Sequence, residues 1–387
     1  MHPERGVAEL KLSTSYLLPG MRLARPVYGQ SGELLLGKGA GLTLRNIVSL
    51  QRCRVLAVDI ESPFGFDDEE RNIIEDEMRL GIMNVVREWT LKNENKLERI
   101  ANTVEVIIDE ILSGKEVAEG LTQICSADIY TYAHSVDVCI LSLSVGVKLG
   151  YARPKLLRLG VGSLLHDLGK TKIPIEILNK PDELTPDEFN EMKKHSEYGY
   201  QIFQRIRGFS SQSASIILCH HERYDGSGYP HGLKGDKISE MSVICAISDV
   251  YNAITTDRIY RDALPPHEAY EMMMASGDLF FNFKVVKAFL KCVTPYPVGS
   301  MVGLSNNVVG CVCRLNKGIP YRPVVKVLNS EEEIDLQNER NIVITGLIRP
   351  EEISELVVKG NTPGAGFYEH KTDKSYNQHV CQFNELK

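Results

Sequence analysis

The 387-residue sequence lacks the patterns that mark membrane, exported and nucleic-acid-binding proteins. It contains no run of about 18 uncharged apolar residues, so no membrane-spanning helix is expected. Its first residues, MHPERGVAELKLS, lack the basic and then apolar pattern of a secretion signal. The net charge of −7 argues against a nucleic-acid polymer as a partner, although a few local cations can still bind a small phosphate ligand.

Paired cysteine motifs are also missing. The nine cysteines are an odd number and include no CxxC pair, and the closest spacing is Cys311-x-Cys313. Unpaired thiols fit a reducing compartment better than a disulfide framework, so we expect a cytoplasmic protein.

Composition and length predict a globular protein with more than one domain. Apolar residues make up 43% of the chain and charged residues 25%, which is ordinary for a globular fold. A chain of 387 residues is too long for one simple core. We expect a strand-rich N-terminal accessory module, a linker with paired helices, a helical core, a small β domain and a polar tail. These segments are residues 1–62, 63–125, 126–296, 297–348 and 349–387.

The spacing of apolar residues predicts the structure in each segment. Residues 10–60 place Gly or Pro between short apolar runs, which favours strands and turns with one short helix. Apolar residues recur at three- and four-residue steps from 69 to 112 and predict two helices, whose stripe would pack in the core or form a homodimer seam. Residues 128–296 stay mainly helical, including one helix over 185–206 that begins at the N-cap Thr185. Residues 297–347 change to a two-residue period, so the fold class is mainly α, with a small N-terminal α+β or β module and a small C-terminal β domain.

The helical core contains a dense cluster of histidines. Six of the ten histidines lie between 134 and 231, and acidic residues lie among them and shortly after them. Such a mixture suggests that one pocket collects nitrogen and oxygen donors, and the usual reason is a metal. The residues are His134, His166, His195, His220, His221 and His231, with Asp167, Glu222, Asp225 and Asp249.

Two doublets within this cluster are typical of a site with more than one ion. At a helix end, adjacent His166 and Asp167 can supply an imidazole and a carboxylate to the same groove, and a carboxylate can bridge two ions. Adjacent His220 and His221 can reach different ions. The remaining ligands would come from other helices of a bundle. A set of N and O donors without cysteine suits Fe, Mn, Ni or Co, allows Zn and disfavours Ca.

A glycine-rich loop and several cations indicate a phosphate ester as ligand. In the loop DGSGYP, Tyr229 can stack on a base and reach a phosphate, although a plain turn with a packed tyrosine is the alternative. Lys170 follows the His-Asp doublet by one turn, and Arg258 and Arg261 follow Asp249. Metal ions ringed by such cations activate water and neutralise the charge of a phosphodiester.

Five strings in this order resemble the HD-GYP family, a branch of the HD phosphohydrolase superfamily. They cover about 170 residues and are YTYAHS, LLHDLGK, MKKHSEYG, CHHERYDGSGYP and SDVYNAITTDRIYR. The resemblance implies an HD-type helical bundle core that hydrolyses cyclic di-GMP to pGpG, and in some members on to GMP. Residues 10–60 and 297–312 also resemble modules that often accompany such cores.

The resemblance also implies roles for individual residues. It implies two divalent ions, with Fe or Mn preferred and Ni, Co or Zn as alternatives. Asp167 would bridge the ions and the activated water, and Lys170 would lie beside the scissile phosphate, which makes both catalytic. Lys170, Gly228, Tyr229, Arg258 and Arg261 would bind the substrate. The implied metal ligands are His134, His166, Asp167, His195, His220, His221 and Asp249.

The sequence departs from the family pattern at several positions. Tyr130 stands where some members have a Glu that holds a third metal, which is why two metals are expected. Asn252 replaces a common Asp, Ile259 replaces a common Pro, and FNFKVV, which includes Phe283, replaces FDPxVV. These departures keep two alternatives open: a cyclic-dinucleotide sensor or scaffold that binds signalling proteins, and a phosphohydrolase of another cyclic dinucleotide or nucleotide.

Overall fold

The protein is described by a computed structural model, and its parts are two compact units. One unit is Arg71–Pro295, and the other combines Met1–Glu70 with Tyr296–Lys387. No helix among the described residues is long and apolar enough to cross a membrane. The described residues are 9–14, 17, 20–28, 34–53, 55, 57–61, 76–91, 97–113, 130–256 except 181 and 209, and 264–348 except 317, 329 and 331.

The unit Arg71–Pro295 is helical, as the apolar periodicity predicts. Short 3-10 turns at Leu168–Lys172 and Gly235–Lys237 interrupt the helices. The α-helices are α2 (Asp76–Leu91), α3 (Glu98–Ser113), α4 (Tyr130–Lys148), α5 (Arg153–Leu164), α6 (Ile175–Leu178), α7 (Pro186–Lys193), α8 (His195–Phe203), α9 (Ser211–Cys219), α10 (Glu240–Thr255), α11 (Pro266–Ala275) and α12 (Phe283–Phe289).

Two helices of the core, α4 and α10, carry residues of the predicted site. Helix α4 is buried almost continuously from Ala133 to Val145, and α10 is buried from Met241 to Ser248. A helix that is apolar on every side must lie inside a core, because it offers no face to water. Polar side chains on such helices therefore need partners inside the protein.

The apolar stripe of α3 packs within the chain. Its buried side chains recur at helical spacing, and Val104 lies directly against Gly160 of α5. This burial confirms the core interpretation for α3, whereas the homodimer seam stays a prediction. Residues 69–75 of the predicted pair lie outside the described residues. The buried members are Ile100, Val104, Ile107, Ile108 and Ile111.

The prediction of one helix over 185–206 is wrong, because the structure has two. Thr185 caps α7 as expected, and its hydroxyl and the Glu188 carboxylate each accept the other residue's backbone N–H. After Lys194 a new helix begins at His195. The ring of His195 donates from Nδ1 to the carbonyl of Met192 at 2.7 Å. A side chain therefore hydrogen-bonds to a backbone carbonyl at the junction between α7 and α8.

The second unit has separate apolar clusters in its N-terminal and C-terminal parts. In the N-terminal part, Leu23, Leu42, Leu50 and Ile60 are buried together. Strand β1 (Glu9–Ser13) pairs with β4 (Ala57–Glu61), β2 (Val27–Tyr28) pairs with β3 (Leu34–Leu36), both antiparallel, and α1 is Leu44–Arg52.

The C-terminal part is the predicted small β domain. Its antiparallel sheet has the order β8-β7-β6-β5-β9 and buries Val302, Leu304, Val312, Val325 and Leu336. The strands are β5 (Met301–Leu304), β6 (Val309–Arg314), β7 (Val324–Val327), β8 (Glu333–Asp335) and β9 (Ile344–Leu347). The five-segment division of the chain stays a prediction, and the predicted tail 349–387 lies outside the described residues.

Candidate metal centre

The structure brings all seven predicted metal ligands into one buried cluster. His134 lies in α4 and Asp249 in α10, while His195 begins α8. His166 and Asp167 follow the end of α5, and His220 and His221 follow the end of α9. The ligand atoms form three sets, and within each set the atoms lie within 4.8 Å of one another. The sets are His195 with His220 and His221; His134 with His166 and Asp167; and His166 with His220 and Asp249.

Backbone carbonyls fix the orientation of three of these histidine rings. In each case Nδ1 faces the carbonyl of the residue three positions earlier, and a carbonyl can only accept, so Nδ1 carries the proton. The unprotonated Nε2 atoms then point into the cluster, as metal-ligating histidines require. The pairs are His166 with Ser163 at 2.8 Å, His195 with Met192 at 2.7 Å and His220 with Ile217 at 2.9 Å.

The inward nitrogen atoms lie close enough together to share a cation. His195 Nε2 lies 3.3 Å from His220 Nε2 and 3.1 Å from His221 Nε2. Among the described residues, the buried Nε2 of His166 has no hydrogen-bond partner. Lone pairs that face one another repel, and a buried acceptor without a donor costs free energy. A divalent ion removes both penalties, so these residues fit a metal.

Burial keeps three of the histidines in the neutral form that binds metals. It lowers the pKa of His195 to about 4 and that of His220 to about 3. The pKa of His221 is also held well below its ordinary value, mainly by burial. Neutral imidazoles bind a metal at neutral pH without first losing a proton.

Asp167 lies between the histidine groups. Its Oδ2 is 3.3 Å from His166 Nε2 and 3.9 Å from His134 Nε2, and its Oδ1 is 3.6 Å from His195 Nε2. Lys170 donates to Oδ2 at 2.6 Å. Burial alone would raise the pKa of Asp167, but Lys170 and His166 hold it well below its usual range, so the carboxylate is ionised.

Gly169 brings this acidic turn against the start of α8. A Cβ atom at Gly169 would lie 1.8 Å from the carbonyl oxygen of His195 and 2.4 Å from the backbone nitrogen of Gly199. Only glycine allows this approach. The distance between Asp167 and His195 therefore depends on residue 169.

The DGSGYP loop packs on the cluster through Tyr229. Its ring stacks on the ring of His221 with a centroid distance of 4.6 Å. Burial raises the pKa of Tyr229 well above its ordinary value, so the hydroxyl stays protonated and can donate. Gly228 allows the loop to fold over its own chain, because a Cβ there would lie 2.4 Å from the carbonyl oxygen of His221 and from the nitrogen of Arg223.

Three residues expected in the donor cluster have other positions. Glu222 is buried and accepts from the backbone N–H groups of His231 and Leu233, both at 2.8 Å. Asp225 accepts from the backbone and hydroxyl of Ser227. These two carboxylates hold the loop, and His231 is exposed. Sequence patterns did not indicate the anchoring role of Glu222.

A buried polar chain behind His134 was also not predicted. Nδ1 of His134 donates to Oδ1 of Asn252 at 2.6 Å, and Asn252 in turn donates to Asp137. Asp137 forms an ion pair with Arg79 of α2. The predicted substrate ligands Arg258 and Arg261, with Ile259, lie outside the described residues, and their roles stay predictions.

The fold and the cluster agree with comparisons to known proteins. A protein-family model for the HD domain matches residues 105–281, and one for a KOW domain associated with the HD domain matches residues 301–356. The cyclic di-GMP phosphodiesterase PA4108 of Pseudomonas aeruginosa is 32% identical over 308 residues, which cover 77% of this chain and 73% of that protein. The chain belongs to the HD-GYP family of HD-domain proteins.

Two further relatives match shorter stretches. A cyclic di-GMP phosphodiesterase of Thermotoga maritima is 34% identical over 220 residues, or 55% of this chain and 59% of that protein. The 3'3'-cGAMP-specific phosphodiesterase 2 of Vibrio cholerae is 34% identical over 190 residues, or 49% of this chain and 36% of that protein. The chain thus spans less than two thirds of the length of both.

Proposed function

We propose that the protein is a metal-dependent phosphodiesterase that hydrolyses cyclic di-GMP to linear pGpG. The observation that carries this proposal is the cluster of five histidines with Asp167 and Asp249, in which three histidines lie within 3.9 Å of the Asp167 carboxylate and the Lys170 ammonium group lies 2.6 Å from it. A buried anion flanked by a cation and by metal-binding nitrogens suits the charge of a phosphodiester. The names of the Pseudomonas and Thermotoga relatives support cyclic di-GMP as the substrate.

We propose two divalent ions, Fe or Mn in preference to Ni, Co or Zn. The cluster offers two outer groups of donors on either side of Asp167, which suits a carboxylate shared by two ions. Such ions would supply a water of lowered pKa and neutralise charge on the phosphate. The donors are nitrogen and oxygen atoms only, which favours these metals over metals that prefer thiolate ligands. The ligands proposed are His134, His166, Asp167, His195, His220, His221 and Asp249.

The chain's own residues bind and orient the substrate in this proposal. The ionised Asp167 carboxylate would hold the ions and orient the attacking water towards the phosphorus atom. Lys170 neutralises a non-bridging phosphate oxygen. Tyr229, packed on His221, offers its ring face to a guanine and its protonated hydroxyl to a phosphate. Gly228 keeps the loop close to the cluster, and Arg258 and Arg261 bind phosphates or bases.

The role of Lys170 is tested with a neighbouring lysine as control. Lys170→Gln removes the cation beside Asp167, whereas Lys172→Gln changes an exposed lysine of the same turn. We expect Lys170→Gln to lower kcat for cyclic di-GMP by about 100-fold or more, the scale for one lost electrostatic contact, with its metal content retained. Lys172→Gln should act like the parent protein. Equal rates for the two variants would contradict the catalytic role of Lys170.

A second substrate has support from one relative. The Vibrio cholerae protein is named as specific for 3'3'-cGAMP, and it matches about half of this chain. Rates measured with cyclic di-GMP, 3'3'-cGAMP and cyclic di-AMP at one enzyme concentration separate the candidates. We expect the highest kcat/KM with cyclic di-GMP, and a higher value with 3'3'-cGAMP would replace our substrate assignment.

We also propose a cytoplasmic location, signalling proteins as partners and a homodimer through residues 69–112. Seven cysteines among the described residues are free, which fits a reducing compartment. Val106 and Leu112 are exposed on α3 and offer apolar contacts to a second copy. Sedimentation of the parent and of Leu112→Glu tests the dimer, and a monomeric parent protein would contradict it.

A further inference from the structure

A continuous chain of polar contacts joins the metal cluster to α2. His134 donates from Nδ1 to Oδ1 of Asn252 at 2.6 Å. The Nδ2 group of Asn252 donates to Oδ2 of Asp137 at 3.4 Å. The other carboxylate oxygen of Asp137 pairs with the guanidinium of Arg79, which α2 supplies.

The chain lies inside the protein. Asn252 is fully buried, and the side chains of His134 and Asp137 are 5% and 2% exposed. Arg79 is 16% exposed and is the outer member. A buried carboxylate needs a cation, because removal from water costs several kcal/mol without one. The Arg79 guanidinium supplies this cation to the Asp137 carboxylate.

Only an amide satisfies both neighbours at position 252. The Nδ1–H group of His134 needs an acceptor, and the Asp137 carboxylate needs a donor. An aspartate at 252 would satisfy His134 but set two carboxylates against each other. This arrangement gives a physical reason for Asn252 where relatives commonly have Asp.

We propose that Asn252 is a positioning residue for His134, and that Asp137 and Arg79 set its orientation. The proposal rests on the metal site proposed above and extends it beyond the HD domain, because Arg79 precedes the matched span 105–281. Helix α2 then controls how His134 presents Nε2 to a metal. Partners of this kind typically change metal affinity about 10- to 100-fold when they are replaced.

The central test exchanges the two side chains. We would measure Mn²⁺ affinity of the full chain by competition with a chelator, and record the Co²⁺ absorption spectrum as a probe of ligand geometry. Asn252→Asp should weaken affinity about 10- to 100-fold. Adding Asp137→Asn restores a donor for residue 252, so the double variant should recover most of the affinity and the parent spectrum.

Helix α2 is tested separately with a matched control. Arg79→Met should weaken Mn²⁺ affinity about 10-fold, and Arg79→Lys, which keeps the charge and the fold, should weaken it less. Arg87→Met changes an exposed arginine of the same helix and should have no effect. Urea unfolding of each variant separates loss of metal affinity from loss of fold.

The outcomes distinguish this inference from the proposed function. A parent protein that binds no metal would overturn both. A parent protein that binds metal and hydrolyses cyclic di-GMP, with Asn252→Asp and Arg79→Met equal to it in affinity, would overturn the inference alone. Failure of the double variant to recover from Asn252→Asp would also overturn it, because the amide would then not be needed between His134 and Asp137.

Discussion

Replacing Gly169 with alanine tests how closely the turn that carries Asp167 must pack against α8. The added Cβ would lie 1.8 Å from the carbonyl oxygen of His195 and 2.4 Å from the nitrogen of Gly199. Both are backbone atoms, so no side chain can rotate away. Non-bonded atoms pack best at about 3.5–4.0 Å, and the two segments must therefore separate by more than about 1 Å.

A separation of this size is large for a metal site. Metal–ligand distances tolerate only about 0.2 Å, and Asp167 and His195 lie on opposite sides of the contact at Gly169. We expect Gly169→Ala to lose most of its bound metal and its hydrolysis of cyclic di-GMP. Forced overpacking should also lower the free energy of unfolding by about 1–3 kcal/mol.

Gly81→Ala is the matched control for this substitution. Gly81 lies in α2, and a Cβ there would meet no atom within 4 Å. It should keep its metal and gain about 0.5–1 kcal/mol of stability, because alanine is favoured over glycine inside a helix. Metal per chain by plasma mass spectrometry and urea unfolding measure both effects. If Gly169→Ala matches Gly81→Ala in metal content, the contact with His195 does not set the site.

Two further predictions concern the loop and the dependence on pH. Glu222→Ala removes the acceptor of two backbone N–H groups and should lower the free energy of unfolding by about 1–3 kcal/mol. It should also raise KM for cyclic di-GMP while the metal content stays unchanged. An unaltered KM would contradict the anchoring role of Glu222. In chelator-treated protein, burial lowers the pKa of His195 to about 4 and of His220 to about 3. Between pH 6.5 and pH 4 the unfolded chain binds protons that the folded chain excludes, so stability should fall with pH by about 1.4 kcal/mol per unit for each histidine. Unfolding midpoints that stay constant from pH 7 to pH 5 would refute this.

Local patterns and the family resemblance were enough to predict which residues cluster at the candidate metal centre. The doublets at 166–167 and 220–221 fall at helix ends, as expected, and His134 and Asp249 come from central helices. Apolar spacing likewise predicted the buried stripe of α3. These features depend on residues close together in sequence, where helical geometry fixes which side chains share a face.

Contacts between distant residues could not be predicted in the same way. Arg79 and Asp137 are 58 positions apart, and Asp137 and Asn252 are 115 apart, so their pairing depends on the packing of three helices. The helix break at Lys194 coincides with a hydrogen bond from the His195 ring to the carbonyl of Met192, a contact that apolar spacing does not reveal. Glu222 follows the predicted ligands His220 and His221 in sequence, but its carboxylate binds backbone N–H groups of the loop. Only the folded loop brings those groups beside it.

The most direct test of the central claim counts metal and turnover on one sample. Anaerobically purified parent protein and Asp167→Asn would be supplied with Mn²⁺ and Fe²⁺, then assayed with cyclic di-GMP. The account predicts linear pGpG from the parent with roughly two metal ions per chain, and no product from Asp167→Asn with its fold intact. Bound metal without turnover in the parent, or equal turnover in Asp167→Asn, would contradict the proposed enzyme, and a parent without metal would contradict the metal centre itself.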